Sequence, residues 1–137
     1  MERSGHINYW LKSAAHDLES AETLFQHQRY DWCLFLGHLV IEKVFKAFFV
    51  RDNPKVTVPQ IHNLTRLAGR TQLQLTAEQQ DLLLEINHFN IKAWYPDYKF
   101  EFYKKCTLNS RKTPLQKSRN FTNGYCNNCR RKYQTFC

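Results

Sequence analysis

The chain has 137 residues, 42% of them hydrophobic and 15% aromatic, which suits one globular domain able to bury its own core without metals or disulfides. A membrane span is excluded by pattern, because the longest apolar stretch, Leu34–Val50, is broken by His38, Glu42, Lys43 and Lys46. The net charge of +8 points to a nucleic-acid-binding chain only until it is divided: residues 1–105 hold 13 Lys and Arg against 12 Asp and Glu, while residues 106–137 hold 7 and no acid.

The first predicted helix runs from Ser4 to His27. Ile7, Leu11, Ala14, Leu18, Ala21 and Phe25 recur at steps of three and four and form one apolar stripe, with Lys12, His16, Glu19 and Glu22 opposite. A turn near Gln28–Arg29 follows, and Asp31 is the expected N-cap of a second helix over Trp32–Arg51. That helix is apolar on nearly every side: Cys33, Leu36, Val40, Val44 and Ala47 make one stripe, widened by Phe35, Leu39, Phe45, Phe48 and Phe49. So much large apolar surface exceeds one side of a four-helix bundle. Part of it, marked by Phe48 and joined by Phe100, Phe102 and Tyr103, is expected to face a second copy. Asn53–Pro54 stops the helix, since proline disfavours helical geometry in the residue before it.

A loop to Gln60 leads to a short helix with Leu64, Leu67 and Ala68 on one side and Gly69 near its end. Thr76-Ala-Glu-Gln79 has capping-box spacing and opens another helix, whose Leu82, Leu83, Ile86, Phe89 and Ala93 hold the helical period. Tyr95-Pro96-Asp97-Tyr98 breaks it, and Lys99–Cys106 adds a last amphipathic turn or two. No segment alternates with the two-residue period of a half-buried strand. The expected fold is all-α, a four- to five-helix up-down bundle over residues 1–106. Residues 107–137 form a basic, Cys-containing tail without helical period, read as disordered or as the product of a shifted reading frame.

Several side chains have a chemical reading beside a structural one. Glu42, Lys43 and Lys46 lie within one helical turn, in reach of each other at i, i+4; Lys43 or Lys46 would edge a phosphate-binding groove, or the group would form a structural ion pair with long stems covering apolar surface. His62, following Pro59 near a helix start, would contact a ligand or serve as a cap and packing residue. His38, inside the apolar helix, reads as a hydrogen-bonded core or interface histidine. Tyr95 and Asp97 would stack and bind a base, or simply break and cap helices. Cys126-Asn-Asn-Cys129 with Cys137 offers thiolates for zinc, but a closed site needs four ligands and a second Cys-x-x-Cys is missing, so no metal and no cofactor are expected.

Four runs stand in a fixed order. Helix one carries Trp10, Ala14-Ala15-His16-Asp17-Leu18 and Ala21. Next come Tyr30-Asp31-Trp32-Cys33 and Gly37-His38-Leu39-Val40-Ile41-Glu42-Lys43-Val44-Phe45-Lys46-Ala47. Ile61-His62-Asn63-Leu64 with Leu67-Ala68 is third, and Asn87-His88-Phe89-Asn90 with Lys92-Ala93-Trp94-Tyr95-Pro96-Asp97 is last. Over residues 8–106 this set resembles the HEPN domain, a small helical bundle associated with nucleotide or RNA binding. The resemblance departs at Trp94, where the family usually has arginine. Nuclease members carry an arginine followed, after four to six residues, by histidine: a guanidinium for phosphate and an imidazole for the 2′-hydroxyl proton. None of the six histidines (6, 16, 27, 38, 62, 88) has that arginine.

The resemblance therefore implies a non-catalytic module binding a nucleotide, RNA or a partner, with Lys43, Lys46, His62, Trp94, Tyr95 and Asp97 as candidate contacts and no catalytic residue. It implies a homodimer in the cytoplasm, one half of a pair with a minimal nucleotidyltransferase of the toxin–antitoxin kind; the opening MERSGHINYW, which lacks the layout of a secretion signal, agrees with that location. Two other functions remain open: a metal-independent RNA endonuclease toxin with a non-standard active site, and a structural partner subunit without a ligand.

Overall fold

The computed structural model describes residues 2–94, with the backbone alone at residues 30, 31 and 89–94. Four helices follow in order: α1 (Arg3–Gln26), α2 (Tyr30–Asp52), α3 (Leu64–Ala68) and α4 (Ala77–Trp94), and the described residues contain no strand. The arrangement is all-α, as the periodicity predicts. α2 is central and packs against α1, α3 and α4.

The α1–α2 hairpin follows from its small residues and its turn. Ala14 and Ala21 are buried on α1, and their short side chains let the two helices approach closely along their length. α1 ends in a Schellman motif: Arg29 N–H donates to Leu24 O at 2.8 Å and Gln28 N–H to Phe25 O at 3.0 Å, with Gln28 in the left-handed region at φ 61°. This tight reversal leaves room for α2 to begin at Tyr30. Asp31 is consequently inside the helix rather than its N-cap, a position that Arg29 occupies without a side-chain cap.

The main core joins Ala14 to Val40, Ile41, Val44, Phe45 and Phe48 of α2, Leu64, Leu67 and Ala68 of α3, and Leu83 and Ile86 of α4. A second cluster, Ile7, Ala47 and Val50, takes Trp10 and Val58 against its edge. Two apolar assignments need correction. Phe48 is only 4% exposed and belongs to this chain's own core, because α3 and α4 close over that side of α2. Phe25 is 41% exposed, since α1 ends one residue later and the stripe runs past the packed length of the hairpin.

Polar contacts fix the ends. Asn53 Nδ2 donates to Phe49 O and to Arg70 O, at 3.2 and 3.1 Å, tying the end of α2 to the chain after α3. Asp52 receives Arg51 through both oxygens and accepts Gln72 N–H at 2.8 Å. Burial pushes the Asp52 carboxyl upward, but these bonds and the charges of Arg51 and Arg3 outweigh it and hold it below the ordinary carboxylate value. The Arg3 guanidinium also donates to Arg51 O. The capping box forms as expected: Gln79 N–H donates to Thr76 Oγ1 at 3.2 Å, and Thr76 N–H to Gln79 Oε1 at 3.0 Å.

Two opposite exchanges should both stabilise the domain. Gln28→Gly relieves a left-handed side chain at the helix end, and Gly37→Ala, whose added Cβ meets nothing within 4 Å, removes a flexible residue from mid-helix. Each should raise the unfolding free energy by about 0.5–1 kcal/mol in urea titration. A loss of stability at either position would mean that the local geometry is set by something other than backbone preference.

Candidate site at Glu42 and His62

His38, Glu42 and Lys46 are spaced by four and so lie one above another on α2. They form a polar seam in an otherwise apolar helix, 1%, 4% and 8% exposed respectively. An ionised carboxylate this deep needs partners, and Glu42 has two of opposite character. Lys46 Nζ donates to Oε1 at 2.6 Å from the same helix. His62 reaches down from the loop before α3 and places Nδ1 3.1 Å from Oε1 and 3.2 Å from Oε2. A carboxylate only accepts, so Nδ1 carries the proton and Nε2 is the nitrogen left for an outside group. The imidazole is well placed for that, with 70% of its side chain in solvent.

The loop that delivers His62 is held from two sides. Asn63 caps α3 by accepting Arg66 N–H at 3.0 Å. From α4, Asn87 Oδ1 accepts Leu64 N–H at 2.9 Å, while its Nδ2 donates to Asn63 Oδ1 at 3.3 Å. Asn87 was legible only as part of a family-like run; its role in fixing the histidine loop depends on a contact across 23 residues that no local pattern announces.

His38 lies beneath this junction, with Nδ1 3.8 Å from Glu42 Oε2. Neither ring nitrogen makes a hydrogen bond of ordinary geometry among the described residues. Burial pushes the imidazole below its usual titration range, and this outweighs the opposing pull of the Glu42 charge, the nearby Asn87 side chain and the His62 backbone. His38 is a neutral core histidine.

The two lysines part company. Glu42 and Lys43 are adjacent and point about 100° apart around the helix. Lys43 Nζ turns to α1, where it meets Asp17 Oδ2 at 2.5 Å and Ser13 Oγ at 2.7 Å. Lys46 Nζ, besides holding Glu42, sits 5.1 Å from the centroid of the Trp10 ring. Each cation is thus matched by a carboxylate, and His62 is the candidate that the geometry offers to solvent. His88 is also exposed, on α4. Trp94 is the last residue of α4 and is described by its backbone alone, while Tyr95, Asp97, Cys126, Cys129 and Cys137 lie outside the described residues. Among the described residues no group of three His, Cys, Asp or Glu side chains could hold a metal ion, and no helix is long and apolar enough to cross a membrane.

A buried helix-two carboxylate, an imidazole from the following loop and an asparagine from α4 bring together three of the four runs read in the sequence. Comparison with protein families agrees: the HEPN domain matches residues 7–126. The chain belongs to the HEPN family. The match passes residue 106, taken above as the end of the domain, and reaches Cys126. No curated protein and no solved structure matches the chain.

The depressed His38 has a pH consequence whose sign is fixed. Below its ordinary value of 6.5 the unfolded chain takes up a proton that the folded chain refuses, so stability contributed by neutral His38 is present above 6.5 and lost as pH falls. The slope should approach about 1.4 kcal/mol per pH unit for the one proton involved. Denaturant unfolding of wild type and His38→Gln between neutral and mildly acidic pH should show a shallower dependence in the variant. Equal slopes would acquit His38.

Proposed function

We propose that the chain is a non-catalytic HEPN module that binds a nucleotide or RNA through the corner at His62. One observation carries this reading: an exposed imidazole is anchored by a buried carboxylate through Nδ1, so that Nε2 is presented outward in a fixed direction. Preorganisation of this kind lowers the entropy lost when a ligand hydroxyl donates to that nitrogen. Lys46 pairs with the carboxylate from the same helix, and Lys43 lies on the neighbouring flank toward α1. Trp94, Tyr95 and Asp97 extend the same proposal beyond the described side chains. The near-neutral balance of residues 1–105 favours local hydrogen bonding over a broad electrostatic footprint.

A carboxylate-held imidazole is also an arrangement used for proton transfer, which keeps an RNA endonuclease as the second reading. Against it stands the missing arginine before every histidine. The purified protein should bind 5′-AMP or a short single-stranded RNA, and His62→Ala should weaken binding by up to about tenfold, the loss of one hydrogen bond. The RNA should remain uncleaved in the presence of a chelator. Cleavage abolished by His62→Ala would replace the binding reading with the nuclease one; absence of any binding would favour a purely structural subunit.

The wider setting belongs to the same proposal. The module acts in the cytoplasm as a homodimer beside a minimal nucleotidyltransferase, in a toxin–antitoxin-like pair. The exposed Trp32 and the partly exposed Leu36 and Leu39 along the first half of α2 support association of two copies there, rather than at Phe48. Light scattering at micromolar concentration should report twice the chain mass. A monomer would remove the dimer from the account.

A further inference from the structure

The aromatic side chains at the start of α1 are continuous with the His62 corner. Tyr9 is 54% exposed and meets Trp10 edge-on, with ring centroids 5.3 Å apart; His6 flanks the same indole at 6.2 Å. The indole in turn lies 5.1 Å from Lys46 Nζ, which is 2.6 Å from the Glu42 oxygen that holds His62 at 3.1 Å. An exposed ring and an exposed imidazole are therefore linked, through the buried Lys46 and Glu42, by a series of contacts between α1, α2 and the loop. Lys43 lies on the neighbouring flank, where its partner Ser13 stands one helical turn after Tyr9 and Trp10.

We infer that Tyr9, steadied by Trp10, is a stacking platform for a nucleobase whose sugar–phosphate runs toward His62. The inference rests on the nucleotide- or RNA-binding reading above and adds to it the place of the base. The chemistry fits part by part. A base needs an accessible π face, and Tyr9 offers one on a rigid helix, already fixed by its edge-on contact with Trp10. A ribose hydroxyl needs a directed partner, and the outward Nε2 of His62, with Nδ1 engaged by Glu42, supplies an acceptor for it. Stacking does not discriminate strongly among bases, so the surface selects nucleotide chemistry rather than a sequence.

The test uses the full chain and three probes: 5′-AMP, ribose 5-phosphate and a short single-stranded oligoadenylate. Tyr9→Ala should weaken 5′-AMP by about 5- to 100-fold, the range expected for loss of one stacked base, and leave ribose 5-phosphate unchanged. Tyr9→Phe, which keeps the ring, should bind like wild type, and His62→Gln should weaken all three probes. Tighter binding of the oligoadenylate than of 5′-AMP assigns the platform to an RNA strand, and equal binding assigns it to a free nucleotide. The platform is overturned if Tyr9→Ala binds 5′-AMP like wild type while His62→Gln does not, which leaves the binding reading standing. If wild type binds none of the probes, both fall together. Circular dichroism of Tyr9→Ala should match wild type, since the residue is exposed.

Discussion

One carboxylate organises this domain. Glu42 is buried in the central helix, and an ion there is tolerable only because its oxygens are fully engaged. Lys46 neutralises it from the same helix, and the loop must then come close enough for His62 to complete the coordination. The path of the chain between α2 and α3 is thus constrained at its end by a charge inside the core. Asn63 and Asn87 add the hydrogen bonds that keep the loop from relaxing away. Apolar packing brings the helices together, and this polar seam sets how the loop lies on them.

The helices were legible because their signals are local. Alternating steps of three and four mark α1 and α4, the Thr76–Gln79 box marks the start of α4, and Asn53–Pro54 marks the end of α2. Errors appear where tertiary geometry decides. Asp31 looks like a cap on composition, yet the left-handed Gln28 shortens the turn and the helix already begins at Tyr30, before it. Phe48 looks surplus to a bundle, yet α3, only five residues long, supplies Leu64 and Leu67 to cover that side. A five-residue helix has too little period to advertise that role.

The candidate site was legible in its members and not in its connections. Glu42 and Lys46 stand out as charges in an apolar helix, and His62 as a histidine following Pro59 near a helix start. Spacing predicts the Glu42–Lys46 pair, because four residues is one helical turn. It says nothing of the His62–Glu42 bond, which spans twenty residues and depends on a loop with no period at all. Lys43 shows the limit most plainly: adjacent to Glu42 in sequence, it serves a different carboxylate on a different helix. The contact between Trp10 and the polar seam likewise depends on Lys46 bridging two helices.

Sharing one acceptor has a thermodynamic corollary. His38, Lys46 and His62 each approach the same pair of oxygens, so the free energy assigned to any one of them depends on which others are present. Their mutational energies are therefore coupled terms of a single unit, and only a complete cycle of single and double variants can separate them. Occupancy of the outer face of His62 enters the same sum, which links whatever touches that imidazole to the cohesion of the helix beneath it.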